Sequence, residues 1–141
     1  MRRCDLSVMH ESDYAQVEGA TEAPVLPLLI FRKGMRTSAG TLALIDTGLD
    51  EGLLISKEVR DIIFAEGGPP DTHESLWAGI VEIPCDVYLV SVRILDKWVR
   101  TRAYAPIYNG YETLIGRTLL NTTYLCPRGP TKTTYIAIAE S

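Results

Sequence analysis

The sequence predicts a mainly β protein, a small closed β-barrel with one or two short helices. Three observations predict it. There are about seven short apolar or alternating runs set off by turn residues, and only one stretch with helical periodicity. The chain of 141 residues also fits one domain better than two.

Residues 1–24 are polar and weakly patterned, which predicts a loose N-terminal arm ahead of an ordered domain over 25–141. The run 25–31 is apolar, contains Pro27 and is bounded by Lys33-Gly34. Proline cannot donate to a ladder, so the expectation is an edge strand and a turn. Leu42-Ala43-Leu44-Ile45 is continuously apolar and reads as a fully buried strand that stops at Asp46-Thr47-Gly48. Leu53-Leu54-Ile55 is a second apolar run. Ser56 then offers an N-cap for a short helix that ends before Gly67-Gly68-Pro69-Pro70, with Ile55, Val59, Ile62 and Ile63 on one face.

Over 80–106 the pattern alternates, Tyr88, Val90, Val92 and Ile94 against Val87, Leu89, Ser91 and Arg93, and a turn near Asp96-Lys97 makes this a long hairpin. Leu114-Ile115-Gly116 repeats the form of a buried strand ending in glycine, residues 117–121 can make one or two helical turns, and 133–139 reads as a last strand.

Composition excludes several classes. A net charge of -4 gives no general attraction to nucleic acid or to an anionic membrane surface. No stretch approaches the roughly 18 apolar residues of a membrane span, so a cytoplasmic chain is expected, with neither nucleic acid nor membrane as partner. Cys4, Cys85 and Cys126 are far apart and odd in number, neither a disulfide framework nor a metal motif, and read as small semi-buried residues. His10-Glu11 lacks the second histidine of a zinc-protease helix, since Tyr14 stands there. His73 is isolated in a polar turn. No metal or cofactor is expected. Asn121-Thr122-Thr123 matches a glycosylation acceptor and reads as a polar segment. Arg93, Lys97, Arg100 and Arg102 around Trp98 read as a solvated hairpin face.

The chemistry concentrates on Asp46. A carboxylate placed directly after four apolar residues is costly to ionise unless hydrogen-bonded or paired, and Thr47-Gly48 lets the chain turn sharply and keep it accessible. Such a site suits acid and base work. Alone, Asp-Thr-Gly is also an ordinary turn. A second element at the right spacing changes the balance. Ala43-Leu44-Ile45-Asp46-Thr47-Gly48 together with Leu114-Ile115-Gly116-Arg117-Thr118-Leu119-Leu120 resembles the two signature segments of the retropepsins, the retroviral-type (clan AA) aspartic proteases, over roughly residues 25–138.

The resemblance implies a homodimeric aspartic endopeptidase acting on a peptide or protein substrate, without a cofactor. Asp46 would be the catalytic carboxylate, Thr47 would hydrogen-bond across the dimer axis, and Gly48 would bring its backbone near the bound peptide. The chain holds a single Asp-Thr-Gly, so the second aspartate would come from another copy, in a symmetric dimer. Residues 133–138 are either an interface strand at that axis or an ordinary barrel strand. Leu76-Trp77-Ala78-Gly79 occupies the stretch of the family's substrate-covering flap, although Trp77, where glycines are usual, reads equally as core. Leu49 replaces a small residue and would narrow the neighbouring pocket. Gly116 would support the active-site loop, and Arg117 would pair with Asp50 to brace it. Trp77 and Leu49 leave open a second class of function, a peptide-binding or dimerisation module that cleaves little or nothing.

Overall fold

Along Val25–Phe31, Leu26, Leu28 and Ile30 are buried while Pro27 is exposed, the two-residue period of a strand lying in a barrel wall. The computed structural model describes residues 10–13, 15–16, 22–46, 48–108, 110–120, 123–128 and 133–138, with side chains over 24–46, 48–108 and 110–120. Its strands are β1 (His10–Asp13), β2 (Ala15–Gln16), β3 (Glu22–Ala23), β4 (Val25–Phe31), β5 (Ala39–Ile45) and β6 (Leu53–Leu54), then β7 (Thr72–Ala78), β8 (Val81–Ile94), β9 (Lys97–Pro106), β10 (Leu114–Ile115), β11 (Thr123–Arg128) and β12 (Thr133–Ile138). Two helices, α1 (Lys57–Gly67) and α2 (Arg117–Leu120), follow β6 and β10.

The strands β4-β5-β10-β6-β9-β8 form a ring that closes through β4 and β8, and β7 is added outside on β8. The barrel core comprises Leu26, Leu28, Ile30, Ala43, Leu53, Ile55, Ile63, Tyr88, Val92, Ile115 and their neighbours. β2 and β3 pair as a small separate ribbon, and β1, β12 and β11 make a three-stranded sheet, so strands begin within the segment expected to be a loose arm.

Several local expectations change. β4 is not an edge strand: it pairs with β5 from Val25 to Ile30 and with β8 at Leu29, Ile30 and Phe31. Pro27 is tolerated because it precedes the stretch paired to β8, so its missing N–H costs no bond there. β5 is not buried throughout. Ala43 is at 0% exposure but Leu42 is at 55%, because alternate residues of a barrel strand face outward. The turn of the long hairpin is Leu95-Asp96, one residue early. Leu95 adopts φ 59, a left-handed conformation that glycine or asparagine usually signals.

The helix α1 begins as expected, with Ser56 Oγ accepting from Val59 N at 3.4 Å, and Val59 and Ile63 are buried. Ile62 is exposed instead, one residue round the helix from that face. The far end of α1 is held by the buried Arg32. Its guanidinium donates to the carbonyls of Gly67 (3.0 Å), Gly68 (2.8 Å) and Pro69 (2.6 Å), meets Asp71 at 3.2 Å, and lies 4.9 Å from the centre of the Tyr88 ring. A cation at a helix C-terminus is doubly favourable, satisfying free carbonyls and opposing the macrodipole. Among the described residues no helix is long and apolar enough to cross a membrane.

Candidate active site

β10 is two residues long and wedged between two neighbours, Leu114 and Ile115 running parallel to Leu44 and Ile45 on one side and antiparallel to Leu54 and Leu53 on the other. This junction is built from the two apolar runs that end in Asp46 and Gly116. It delivers Asp46 where the sheet stops: its backbone N–H donates to Ile115 O at 3.0 Å, and the chain then turns, with Leu49 N reaching Asp46 O at 3.3 Å. Asp46 is half-buried as a residue, while its Oδ1 accepts from Gly48 N at 2.9 Å in an exposed hydrogen bond. Thr47 lies outside the described residues.

The loop from Asp46 to Gly52 is tied along its length to the segment around Gly116. Gly116 N donates to Gly52 O at 2.9 Å, Arg117 N to Leu49 O at 2.7 Å, and the Thr118 hydroxyl to Asp50 O at 2.6 Å. Gly116 has no room for a side chain, because a Cβ there would stand 2.7 Å from Leu49 O and closer still to Glu51 O. Arg117 Nη2 forms an ion pair with Asp50 Oδ1. Both side chains are more than half exposed, so the pair contributes about 0–1 kcal/mol.

Leu49 is half-buried and packs with Leu54, Leu76, Cys85, Ile83, Tyr104 and Leu114 in a second apolar cluster. Leu76 belongs to β7, where it pairs with Ile83, so this cluster joins the loop to the middle and outer part of the β7–β8 hairpin. Burial pushes the Cys85 thiol up to about 11. The hairpin runs from the Thr72↔Val87 pair to Ala78↔Val81 and turns at Gly79-Ile80, with Gly79 at φ 64. Its tip is apolar and solvent-facing: Trp77 is 64% exposed, Ile80 96% and Val81 57%, while Ala78 and Gly79 are also exposed. Trp77 is therefore not core. On the face that carries Trp77, Ser75 donates to Glu82 at 2.7 Å, and His73 Nδ1 lies 2.8 Å from Asp86 Oδ1, a cross-strand pair rather than an isolated residue in a turn.

Two supporting residues escaped sequence reasoning. Gly52 is buried, and a Cβ there would run into the Thr101 side chain. Its one signal was a glycine directly preceding an apolar run. Thr113 is buried, accepting from Leu44 N through its carbonyl at 2.9 Å and from Ser56 N through its hydroxyl at 3.1 Å. A cleft of ≈ 380 Å³ borders the loop between Asp50, Glu51 and Gly52 on one side and Arg100, Arg102 and Tyr104 on the other. A larger groove of ≈ 660 Å³ among Pro27, Leu29, Gly40, Leu42 and Arg93 includes no residue of the loop, so size does not mark the site. Of the basic stretch, Arg93, Lys97 and Arg100 are exposed, and Arg102 grips both carboxylate oxygens of Glu74 at 3.0 and 2.9 Å. Among the described residues, no three His, Cys, Asp or Glu side chains converge as metal ligands would.

No protein-family model and no curated protein sequence matches the chain. Among solved structures it is similar to EIAV protease complexed with the inhibitor HBY-793, at 14% identity and a TM-score of 0.51, covering 76% of this chain and 92% of that one. It is also similar to a retropepsin-like aspartic protease from Rickettsia conorii, at 14% identity and a TM-score of 0.55, covering 91% of this chain and 90% of that one. At such identity the likeness concerns the path of the backbone alone: this chain has a retropepsin-like fold.

Proposed function

We propose that the chain is one subunit of a homodimeric aspartic endopeptidase, in which two copies of Asp46 face each other across a two-fold axis. The observation that carries this reading is the placement of Asp46, a half-buried residue at the end of a barrel strand whose carboxylate stays accessible, with its backbone held by Ile115 and one oxygen held by Gly48 N. Two carboxylates about 3 Å apart cannot both ionise easily, so the pair retains one proton over an acidic range. The ionised member takes a proton from a water as that water attacks the scissile carbonyl carbon. The protonated member donates to the carbonyl oxygen, giving a tetrahedral diol. Proton return to the amide nitrogen then breaks the C–N bond without a covalent enzyme intermediate.

In this reading Thr47 locks the two loops across the axis, and Gly48 lines the peptide with its backbone. Leu49 and Asp50 border the substrate channel. Trp77, Ala78 and Gly79 belong to a flap that covers it, and its apolar tip suits closure over a peptide by excluding water. Gly116 and Arg117 hold the loop from beneath. The bulk of Leu49 and Trp77 favours a second reading, a peptide-binding or dimerisation module on the same fold. The two separate on incubation of the purified protein with a diverse peptide mixture from acidic to neutral pH, read by mass spectrometry, with Asp46→Asn and a statine-type transition-state mimic as controls. The protease reading expects new peptide termini that both controls remove. Intact peptides at every pH, with binding retained, would support the module.

A further inference from the structure

The three-stranded sheet has a consequence for how two copies meet. β12 is its middle strand, pairing with β1 from His10↔Ile136 to Asp13↔Thr133 and with β11 from Thr123↔Ile138 to Arg128↔Thr133. The backbone groups on both edges of β12 are engaged within the chain. A second copy reaching for β12 would have to displace a neighbour, so an interleaving of terminal strands through residues 133–138 is disfavoured. The outer edges of the sheet belong to β1 and β11.

These edges are not equivalent. β1 lies alongside β4 of its own barrel, whereas the close neighbours of β11 are β12 and the preceding α2. β1 is only four residues long, His10-Glu11-Ser12-Asp13, and would offer its own image a shorter ladder than the six residues of β11. β11 reads Thr123-Tyr124-Leu125-Cys126-Pro127-Arg128, with a single charge at its end, and only Pro127 lacks an N–H. β11 is also the strand tied to the site by the shorter path. Asp46 N bonds Ile115 O, and from Gly116 the chain enters α2 and then β11, so Thr123 lies within about 20 Å of Gly116 by chain length alone.

We infer that two copies join edge to edge along β11, antiparallel about a two-fold axis, to make one six-stranded sheet in the order β1-β12-β11-β11-β12-β1. The inference rests on the homodimer reading, because one chain supplies one Asp46 and the site is incomplete without a partner. Assembly in this way needs no exchange of strands, so each subunit keeps its sheet when the dimer separates.

Cysteine cross-linking along the three strands tests it. In a chain carrying Cys4→Ser and Cys126→Ser, single cysteines are placed on β11 (Tyr124→Cys, Leu125→Cys), on β1 (Glu11→Cys, Ser12→Cys) and on β12 (Tyr135→Cys, Ile136→Cys). The native Cys126 is tested with Cys4→Ser alone and needs no change within β11. Residues opposed in an antiparallel pair have Cα atoms about 4.5–5.5 Å apart, within disulfide reach. After mild oxidation, covalent homodimer should form at one or more β11 positions, at roughly tenfold the yield at β1 or β12, which lie beyond bridging distance of their images. Sedimentation runs alongside. A dimer that cross-links best through β1 or β12, or does not cross-link through β11 at all, overturns the inference and leaves the homodimer standing. A chain that sediments as a monomer at every concentration overturns the homodimer reading itself, and the inference with it.

Discussion

Replacing Gly116 with alanine should damage the candidate site from beneath. The added methyl would stand 2.7 Å from Leu49 O and 2.9 Å from Leu49 Cγ, and closer still to Glu51 O; two of these three atoms are backbone and cannot swing aside. The loop from Asp46 to Gly52 must therefore shift, which strains Gly116 N to Gly52 O (2.9 Å) and Arg117 N to Leu49 O (2.7 Å). Overpacking costs about 1–3 kcal/mol, and two weakened hydrogen bonds cost about 0.5–1.5 kcal/mol each. The total is about 2–6 kcal/mol, a large part of the roughly 5–15 kcal/mol that holds a domain folded. Urea unfolding followed by far-ultraviolet circular dichroism reads the loss. Gly40→Ala is the control, since its nearest neighbour is the flexible Leu29 Cδ2 at 3.6 Å. If Gly116→Ala unfolds within about 0.5 kcal/mol of the parent, the packing of the two segments described above is wrong.

Arg32→Met should lower stability by about 1.5–4.5 kcal/mol, because three carbonyls at the end of α1 each lose a hydrogen bond to a part-buried donor; a thermal-melt change equivalent to less than about 1 kcal/mol would refute that role. For Asp50 and Arg117, a double-mutant cycle on folding stability should give a coupling of only about 0–1 kcal/mol, as both side chains are exposed, and a value above about 2 kcal/mol would contradict it. Cys85 should resist thiol reagents at pH 8 until the protein unfolds. Its unfolded thiol ionises near 9.0 and the folded one near 11, so the unfolded state loses its proton first and stability falls as pH rises through that window. Burial also raises the Tyr88 hydroxyl, which adds a slope of the same sign, so the slope should shrink in Cys85→Val without vanishing, and an equal slope in both proteins would assign all of it to another group.

The sequence and the structure agree most closely where burial is strong and local chemistry is specific. Ser56 caps α1, Tyr88, Val90, Val92 and Ile94 face inward, and Asp46 and Gly116 end adjacent strands, because apolar periodicity, a hydroxyl at a helix start and glycine at a close approach each act over a few residues. The strand β7 escaped notice for the opposite reason. Thr72-His73-Glu74-Ser75-Leu76-Trp77-Ala78 buries Leu76 alone, and a strand held on one edge to β8 needs little apolar pattern. The interior place of β4 was equally hidden, since barrel closure by β8 is a pairing between residues about sixty apart that no local signal reports. Leu95 at φ 59 shows the same limit, a strained turn residue packed against the core where a turn-forming residue would have marked the hairpin.

The central claim is that one complete site needs an Asp46 from each of two chains. Parent protein and Asp46→Asn, co-refolded in varying ratio at fixed total concentration, test it most directly through the rate of peptide cleavage. Asparagine keeps the shape of the residue but cannot share the proton, so mixed dimers should be inactive. At equal amounts, random pairing leaves about one quarter of the dimers with two carboxylates, and the rate should fall to about a quarter of the parent's, following the square of the parent fraction. A fall to about one half, linear in that fraction, would mean that each chain carries a complete site by itself and would contradict the account.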